Sequence, residues 1–379
     1  MASDHNSANY LMPSLFSIFI LAFYTACDST SSSDSNFFGS TGGTFGQIEW
    51  LVDRNEIIDG GPGIDGIPSI DNPNFTIASE VNFLDNRRRV TGIRMGNDVR
   101  AYAHQLLDQH EIVNDSFEGG ESVAITFCPL TGTSIAVNRN LSGNRAEFGV
   151  SGLLFRNNLI MYDRATRSLW SQMQLRSIGG DMRGSDADVI QVIETSWETW
   201  KTMFPDSKVL NLETGYDRNY GIFVYGADYT TNHNRILFPV RNDDTRLNRK
   251  ERVHALIPNN ANEFSNVKAY AIRDFGSQTT IIKDTFMLVN HLIVGNHQLD
   301  FINAFKLITE FEKSLEFTPV FDESFFPAVM SDQRGNFWDI FGYAISGPNT
   351  GEQLTEARSY TGYWYALADF YSNTELFNE

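Results

Sequence analysis

The sequence is poor in cysteine, with only Cys27 and Cys128 among 379 residues. It has no C-x-x-C pair, so the usual zinc-ribbon and dithiol redox patterns are excluded. It also lacks H-E-x-x-H, G-x-S-x-G and a Walker loop, which excludes the metalloprotease, α/β-hydrolase and P-loop signatures. No common catalytic motif therefore assigns an activity to this chain.

Positive charge is also scarce, with 29 Lys and Arg against 47 Asp and Glu and a net charge of −18. A surface of this sign repels phosphate backbones and anionic lipid headgroups. The one tight basic cluster, Arg87, Arg88 and Arg89, is too short for a nucleic-acid patch. We expect no nucleic-acid partner.

Long hydrophobic runs are missing. The apolar run at residues 15–26 is too short for a membrane-spanning helix and has the length of a signal-peptide core. It ends in Tyr-Thr-Ala before Cys27, which is similar to a lipoprotein cleavage site. We predict a signal segment at 1–26, a lipid on Cys27, a flexible Ser/Gly-rich tether at 27–46 and a membrane-anchored location in the cell envelope. A plain cleaved signal peptide is the alternative, and it too implies export.

The rest of the chain favours an α+β fold dominated by β-strands. Residues 47–90 are rich in turns, 91–212 form a first unit, 213–250 connect, and 251–379 form a second unit. Within the first unit, the apolar spacing at residues 195–204 predicts a helix that ends before proline.

The two units resemble each other. R-V-T-G-I at 89–93 and V-R-A-Y-A at 99–103 reappear as R-V-H-A-L at 252–256 and V-K-A-Y-A at 267–271. Repeated anchors in one order indicate repeated structure. We predict two divergent tandem copies of one β-meander-plus-helix unit.

Tryptophans mark both units at nearly the same separation. Trp170 and Trp197 lie 27 residues apart, and Trp338 and Trp364 lie 26 apart. Residues that both units share maintain the fold, so we place these tryptophans in the core rather than in a ligand-stacking surface.

Cys128 belongs only to the first unit, which makes it the leading candidate for function. Pro129 favours an extended backbone at Cys128, so the sequence Cys-Pro-Leu-Thr-Gly predicts a strand end and a sharp turn. Cys128 with His104 or His110 and a methionine would suit a soft metal such as copper. The first hypothesis is therefore an exported binding protein with its small-molecule or metal site around Cys128.

Two alternatives stay open. In an enzyme, Cys128 would be the nucleophile and His110 its base, with Asp115 or Glu111 orienting the histidine. In a structural envelope protein, Cys128 would be a buried apolar filler.

Three ordered segments carry a family resemblance. GGESVAITFCPLTGTSIAVNR, FGVSGLLFRNNLIMYDRATRSLWSQ and ETSWETWKTMFPDSKVL resemble the bacterial and archaeal protein-of-unknown-function family 3179. The resemblance runs from about residue 57 to the C-terminus and implies an exported or membrane-associated protein without an established activity. Relatives often carry Cys-Pro-Leu-Cys in this loop, where this chain has Thr131. That departure argues against a dithiol mechanism and against a metal site with two thiolates.

Overall fold

Short strands joined by tight turns make up most of the structure. The computed structural model describes residues 48–378, so the predicted signal segment, the tether and Cys27 lie outside the described residues. The prediction of a β-dominated chain with few helices is confirmed. No helix among the described residues is long and apolar enough to cross a membrane.

The strands within residues 48–378 are numbered in chain order. They are β1 Ile57–Asp59, β2 Phe75–Ile77, β3 Arg89–Met95, β4 Asp98–Ala103, β5 Ile112–Ser116, β6 Ser122–Cys128, β7 Thr133–Asn138, β8 Asn140–Leu141, β9 Asn144–Arg145, β10 Phe148–Phe155, β11 Asn158–Asp163, β12 Leu169–Ser171, β13 Arg176–Gly179, β14 Val189–Ile190, β15 Ile193–Ser196, β16 Lys208–Leu210, β17 Arg252–Leu256, β18 Asn266–Ala271, β19 Thr280–Phe286, β20 Val289–Asn296, β21 Phe301–Lys306, β22 Phe317–Pro319, β23 Ala328–Asp332, β24 Phe337–Asp339, β25 Ala344–Ser346, β26 Thr355–Glu356, β27 Ser359–Tyr363 and β28 Asn373–Leu376.

The described helices are short. The α-helices are α1 His104–His110, α2 Trp197–Met203, α3 Glu310–Lys313 and α4 Trp364–Phe370, and 3-10 turns occupy Arg54–Glu56, Ala78–Glu80, Ile272–Phe275 and Glu323–Phe325. Between β16 and β17 the described chain forms neither helix nor strand.

Three sheets of the first half have the strand orders β15-β3-β4-β16-β2, β14-β7-β6-β5 and β1-β10-β11-β12-β13. Three sheets of the second half have the orders β27-β17-β18-β28, β26-β21-β20-β19 and β22-β23-β24-β25. Apart from the additional strands β1 and β2 and the two-stranded sheet β8-β9, each order in one half has a counterpart in the other.

Pairing registers also correspond between the halves. Val90 on β3 faces Ala103 on β4, and Val253 on β17 faces Ala271 on β18. After these hairpins, β16 joins β4 and β28 joins β18, both in parallel. A parallel neighbour requires a crossover, which α2 and α4 provide.

Helix α2 lies within the helix predicted at 195–204, and that prediction is confirmed. The Ser196 side chain accepts a hydrogen bond from the Thr199 backbone N–H and caps the helix start. Trp200 is fully buried against β3. A Cβ at Gly92 would lie 1.9 Å from the Trp200 ring, so only glycine allows this contact.

The predicted core tryptophans are buried. Trp170 and Trp338 are each 1 % exposed or less. Their indole N–H groups donate to Asp163 at 3.0 Å and to Asp332 at 2.9 Å. Each indole therefore has its polar atom satisfied inside the core, and the core prediction is confirmed.

Candidate functional site

The Cys-Pro turn, residues 128–132, connects β6 and β7. The Gly132 backbone N–H donates to the Cys128 carbonyl at 2.9 Å and closes the turn. Gly132 has φ of +60°, and an added Cβ would lie 2.7 Å from the Tyr363 ring. The prediction of a strand end followed by a sharp turn is confirmed.

Two tyrosines hold the outer part of this turn. The hydroxyls of Tyr229 and Tyr365 each donate to the Leu130 carbonyl at 2.9 Å. The Tyr363 backbone N–H donates to the Thr131 carbonyl at 2.8 Å. Residues distant in sequence therefore fix the backbone of the turn.

A buried polar network supports the turn from within the sheet. The Thr131 and Thr133 hydroxyls are 2.8 Å apart, and the Asn158 amide donates to both and to Gln172. The Gln172 amide in turn donates to the Thr126 hydroxyl at 2.9 Å. A fully bonded network of this kind rigidifies its surroundings. Thr131, at the position where relatives are expected to carry cysteine, belongs to it.

The Cys128 thiol is buried behind the turn. Cys128 is 1 % exposed, and its sulfur donates weakly to the Asn157 carbonyl at 3.8 Å. Burial, together with the nearby Glu111 carboxyl, raises the pKa of the Cys128 thiol to about 11. Because thiolates are the reactive form, such a thiol has little nucleophilic or metal-binding character at neutral pH.

His110 is occupied at both ring nitrogens. Its Nδ1 lies 2.8 Å from the Pro68 carbonyl, and its Nε2 lies 2.7 Å from the Tyr220 hydroxyl. A carbonyl only accepts, so Nδ1 donates and Nε2 accepts. Burial lowers the pKa of His110, which favours this neutral form. Neither nitrogen is left to serve Cys128 or a metal.

Asp115 lies well away from Cys128. It accepts hydrogen bonds from Arg100 and Tyr102. It pairs with Val123 on β6, five residues before Cys128, which is about 17 Å at roughly 3.4 Å per residue. The structure therefore does not assemble Cys128, His110 and Asp115 into a relay.

His104 contacts the base of the turn without reaching the thiol. Its ring packs on Phe127 with centroids 4.3 Å apart, and its Nε2 lies 3.0 Å from the Thr91 hydroxyl. Within residues 48–378, no group of three or more His, Cys, Asp or Glu side chains could hold a metal ion. The structure does not bring Cys128, His104 and His110 together as ligands.

A cavity of about 150 Å³ lies beside the turn, and Cys128 is not among the residues that line it. We call it the turn cleft. Its walls include Phe127, Pro129 and Gly132 from the strand end and turn, and His104 and Asp108 from α1. Residues 128–132 are all buried, and Pro129 and Gly132 form part of the cleft wall.

A network of ion pairs forms one side of the cleft. Arg89 and Arg252, which begin β3 and β17, both bind Asp300, with closest distances of 2.8 and 2.6 Å. Arg252 also contacts Glu194 at 3.0 Å. Burial and these two arginines lower the pKa of His104 well below its usual value, so its imidazole is neutral.

Some polar groups that line the cleft have no partner among residues 48–378. Asp108 is 7 % exposed, and its Oδ1 is buried without a hydrogen bond. The Arg87 and Arg88 guanidinium groups and the Tyr363 hydroxyl, which also line the cleft, make no hydrogen bond or ion pair within that range. A buried polar atom without a partner, such as Asp108 Oδ1, is rare in folded proteins. Arg87 is exposed and Arg88 half-buried, so water can hydrate their guanidinium groups.

Two neighbouring carboxyls are held in the neutral form. Burial raises the pKa of Asp108 well above its usual range. Burial alone raises the pKa of Glu111, three residues further on, to about 8. Burial therefore favours the protonated form of both carboxyls, and a protonated carboxyl can donate a hydrogen bond.

Sequence reasoning missed the cleft. Arg87, Arg88 and Arg89 were considered only as a nucleic-acid patch, and Asp108 has no distinguishing sequence pattern. The one usable signal was the correspondence between Arg89 and Arg252 in the repeated motif. The two arginines begin β3 and β17, and both donate to the Asp300 carboxylate.

The structure is thus that of a β-rich protein with a small pocket lined by polar and apolar side chains. A family model described as "Protein of unknown function (DUF3179)" matches residues 64–374. The chain therefore belongs to that family, as the resemblance predicted. No curated protein and no solved structure matches it.

The buried Glu111 carboxyl predicts a specific pH dependence of stability. Its pKa of about 8 in the folded state exceeds the unfolded value, so the folded chain keeps a proton that the unfolded chain has lost. The contribution of Glu111 to stability is thus fully present below its unfolded pKa and falls as pH rises toward 8, by roughly 3 kcal/mol between pH 5 and 8. Glu111→Gln should remove this part of the pH dependence, as measured by urea unfolding of both chains across that range.

The control for this test is Glu118→Gln, because Glu118 is exposed in the turn between β5 and β6. It should reproduce the wild-type pH profile. Equal pH profiles for wild type and Glu111→Gln would show that Glu111 is already ionised in the folded state. The neighbouring titratable groups are Asp108, Cys128 and Tyr225, and all of them are kept in both variants.

Proposed function

We propose that this chain is a binding protein for a small molecule held in the turn cleft. The observation that carries the proposal is the buried, unbonded Asp108 carboxyl at the cleft wall. An unsatisfied buried polar atom costs about 1–3 kcal/mol, which a ligand would recover. The rigid turn beside it provides a preformed surface, as ligand pockets typically have.

The cleft is favoured over the thiol as the site of binding. Copper at Cys128 would require deprotonating a buried thiol whose pKa is raised to about 11 and rearranging His110, both of whose nitrogens are bonded. Nucleophilic catalysis by Cys128 meets the same obstacles. A purely structural protein gives no reason for unpartnered Asp108, Arg88 and Tyr363 in one cavity.

We also propose that the body is built from two divergent copies of one unit. Supporting this are the matching sheet orders and the equivalent pairings of Val90 with Ala103 and of Val253 with Ala271. Superposing the matched strands tests the idea. A fit no closer than that of unrelated sheets would contradict it.

The location proposed for this binding protein is the cell envelope, with a lipid on Cys27. Support comes from the apolar run at 15–26 and the small residues before Cys27. In a bacterial host the wild-type chain should fractionate with membranes, and Cys27→Ser should release it. Cys128→Ser is the matched control and should stay with membranes. Identical partitioning of the Cys27→Ser chain and the wild type would contradict lipid attachment.

Binding in the cleft is tested by closing its entrance. Thr230 lines the cleft and is exposed, whereas its exposed neighbour Thr231 does not line it. In a thermal-shift screen of small anions, cations and neutral polar compounds, we expect compounds that stabilise the wild type and Thr231→Trp but not Thr230→Trp. The bulky indole should occlude the entrance without entering the core.

A screen in which every stabilising compound acts equally on Thr230→Trp and Thr231→Trp would contradict the proposal. So would the absence of any stabilising compound. Both variants should unfold at the wild-type temperature without ligand, which confirms that the exposed substitutions leave the fold intact.

A further inference from the structure

We infer that the turn cleft binds a small carboxylate with an apolar body. This inference rests on the proposed function and adds the chemical class of the ligand. It is drawn from three features of the cleft walls: unpartnered donors, an excess of guanidinium groups, and apolar side chains next to both.

The unpartnered polar groups of the cleft are hydrogen-bond donors. Arg87 and Arg88 present guanidinium N–H groups and have no ion pair among the described residues. Tyr363 is 5 % exposed, and its hydroxyl has no hydrogen-bond partner within that range. The Asp108 carboxyl adds another donor when it is protonated. A ligand that satisfies them all must offer several acceptors.

The charge of the cleft selects an anion. Arg87, Arg88, Arg89 and Arg252 meet here on a chain whose net charge is −18. The anionic groups beside them are Glu194 and Asp300, which are taken up by Arg89 and Arg252. Arg87 and Arg88 form no ion pair within residues 48–378, although Arg88 is near enough to Asp108 to act on its pKa. Arginine binds planar carboxylates through two parallel hydrogen bonds, with a charge-assisted gain.

The remaining wall is apolar. Phe127, Phe223 and Pro129 line the same cavity, and the Phe127 ring is held in place by His104. Inorganic phosphate would leave these surfaces uncovered. A carboxylate with a compact hydrocarbon or aromatic part would bury them, and a cavity of about 150 Å³ limits that part to a small group.

The first experiment compares two ligands of the same shape. Benzoate and benzamide are titrated against the full-length chain at pH 7 by ligand-detected NMR, with inorganic phosphate as a third probe. We expect benzoate to bind at least tenfold more tightly than benzamide and phosphate, and Thr230→Trp to abolish its binding. Arg88→Gln should weaken benzoate about tenfold, whereas Arg145→Gln, at an exposed arginine outside the cleft, should not.

Two variants of Asp108 test whether its side chain acts on the ligand as a hydrogen-bond donor or as a negative charge. Asp108→Asn keeps an N–H donor and should bind benzoate within about threefold of wild type. Asp108→Leu removes the donor and should weaken binding about tenfold or more. If Asp108 were an anion that repels the ligand, both variants would bind benzoate more tightly, and that result would overturn the inference.

Failure of the inference is separable from failure of the proposed function. Benzamide or phosphate binding as tightly as benzoate overturns the carboxylate class. Benzoate binding that Thr230→Trp does not alter places the anion elsewhere and also overturns it. If benzoate fails while other compounds lose binding in Thr230→Trp, the cleft is still a binding site for another class of ligand. If Thr230→Trp affects the binding of no compound, both the carboxylate inference and the proposed function are wrong.

Discussion

One backbone carbonyl, that of Leu130, is the point on which the candidate site depends. Tyr229, from the segment between the two halves, and Tyr365, from α4, both donate their hydroxyls to it. Because these bonds come from the connecting segment and from the second half, residues far from the Cys-Pro turn in sequence fix its shape. The Cys128 thiol is buried within this turn, and its neighbours Phe127, Pro129 and Gly132 line the cleft.

The charged groups at the cleft fall into two sets, those that form ion pairs and those that do not. Asp300 and Glu194 hold Arg89 and Arg252. The Arg252–Glu194 pair is buried, whereas the Arg89–Asp300 pair is partly exposed. Buried pairs of this kind contribute little net stability, but removing one partner strands a charge. The network is therefore well suited to fix geometry. Beside it, Arg87 and Arg88 form no ion pair among the described residues, and burial raises the pKa of Asp108. The paired charges thus maintain the structure, and the groups without an ion pair are the ones proposed to bind the ligand.

The sequence was sufficient for the features that local patterns determine. Helical spacing and the following proline located α2, tryptophan burial followed from their recurrence, and Pro129 indicated the turn after Cys128. The sequence could not predict which polar side chains are buried or which groups they bond, because both depend on contacts between residues far apart in the chain. His110 is bonded by Pro68 and Tyr220, which lie 42 and 110 residues away. A histidine near a cysteine in sequence therefore looked available as a base or ligand. Asp108 was equally inaccessible to sequence reasoning, because the property that singles it out is a missing partner in three dimensions.

The central claim is that the turn cleft, rather than the Cys128 thiol, is the proposed binding site, and that the thiol is structural. The most direct test is the rate at which the native Cys27→Ser chain, whose only thiol is Cys128, reacts with iodoacetamide between pH 6 and 10. The account predicts slow reaction that increases only toward high pH, consistent with a pKa of about 11, and full reaction after unfolding. Alkylation of the folded chain near pH 7 at the rate of a free thiol would contradict it and return Cys128 to the centre of the function.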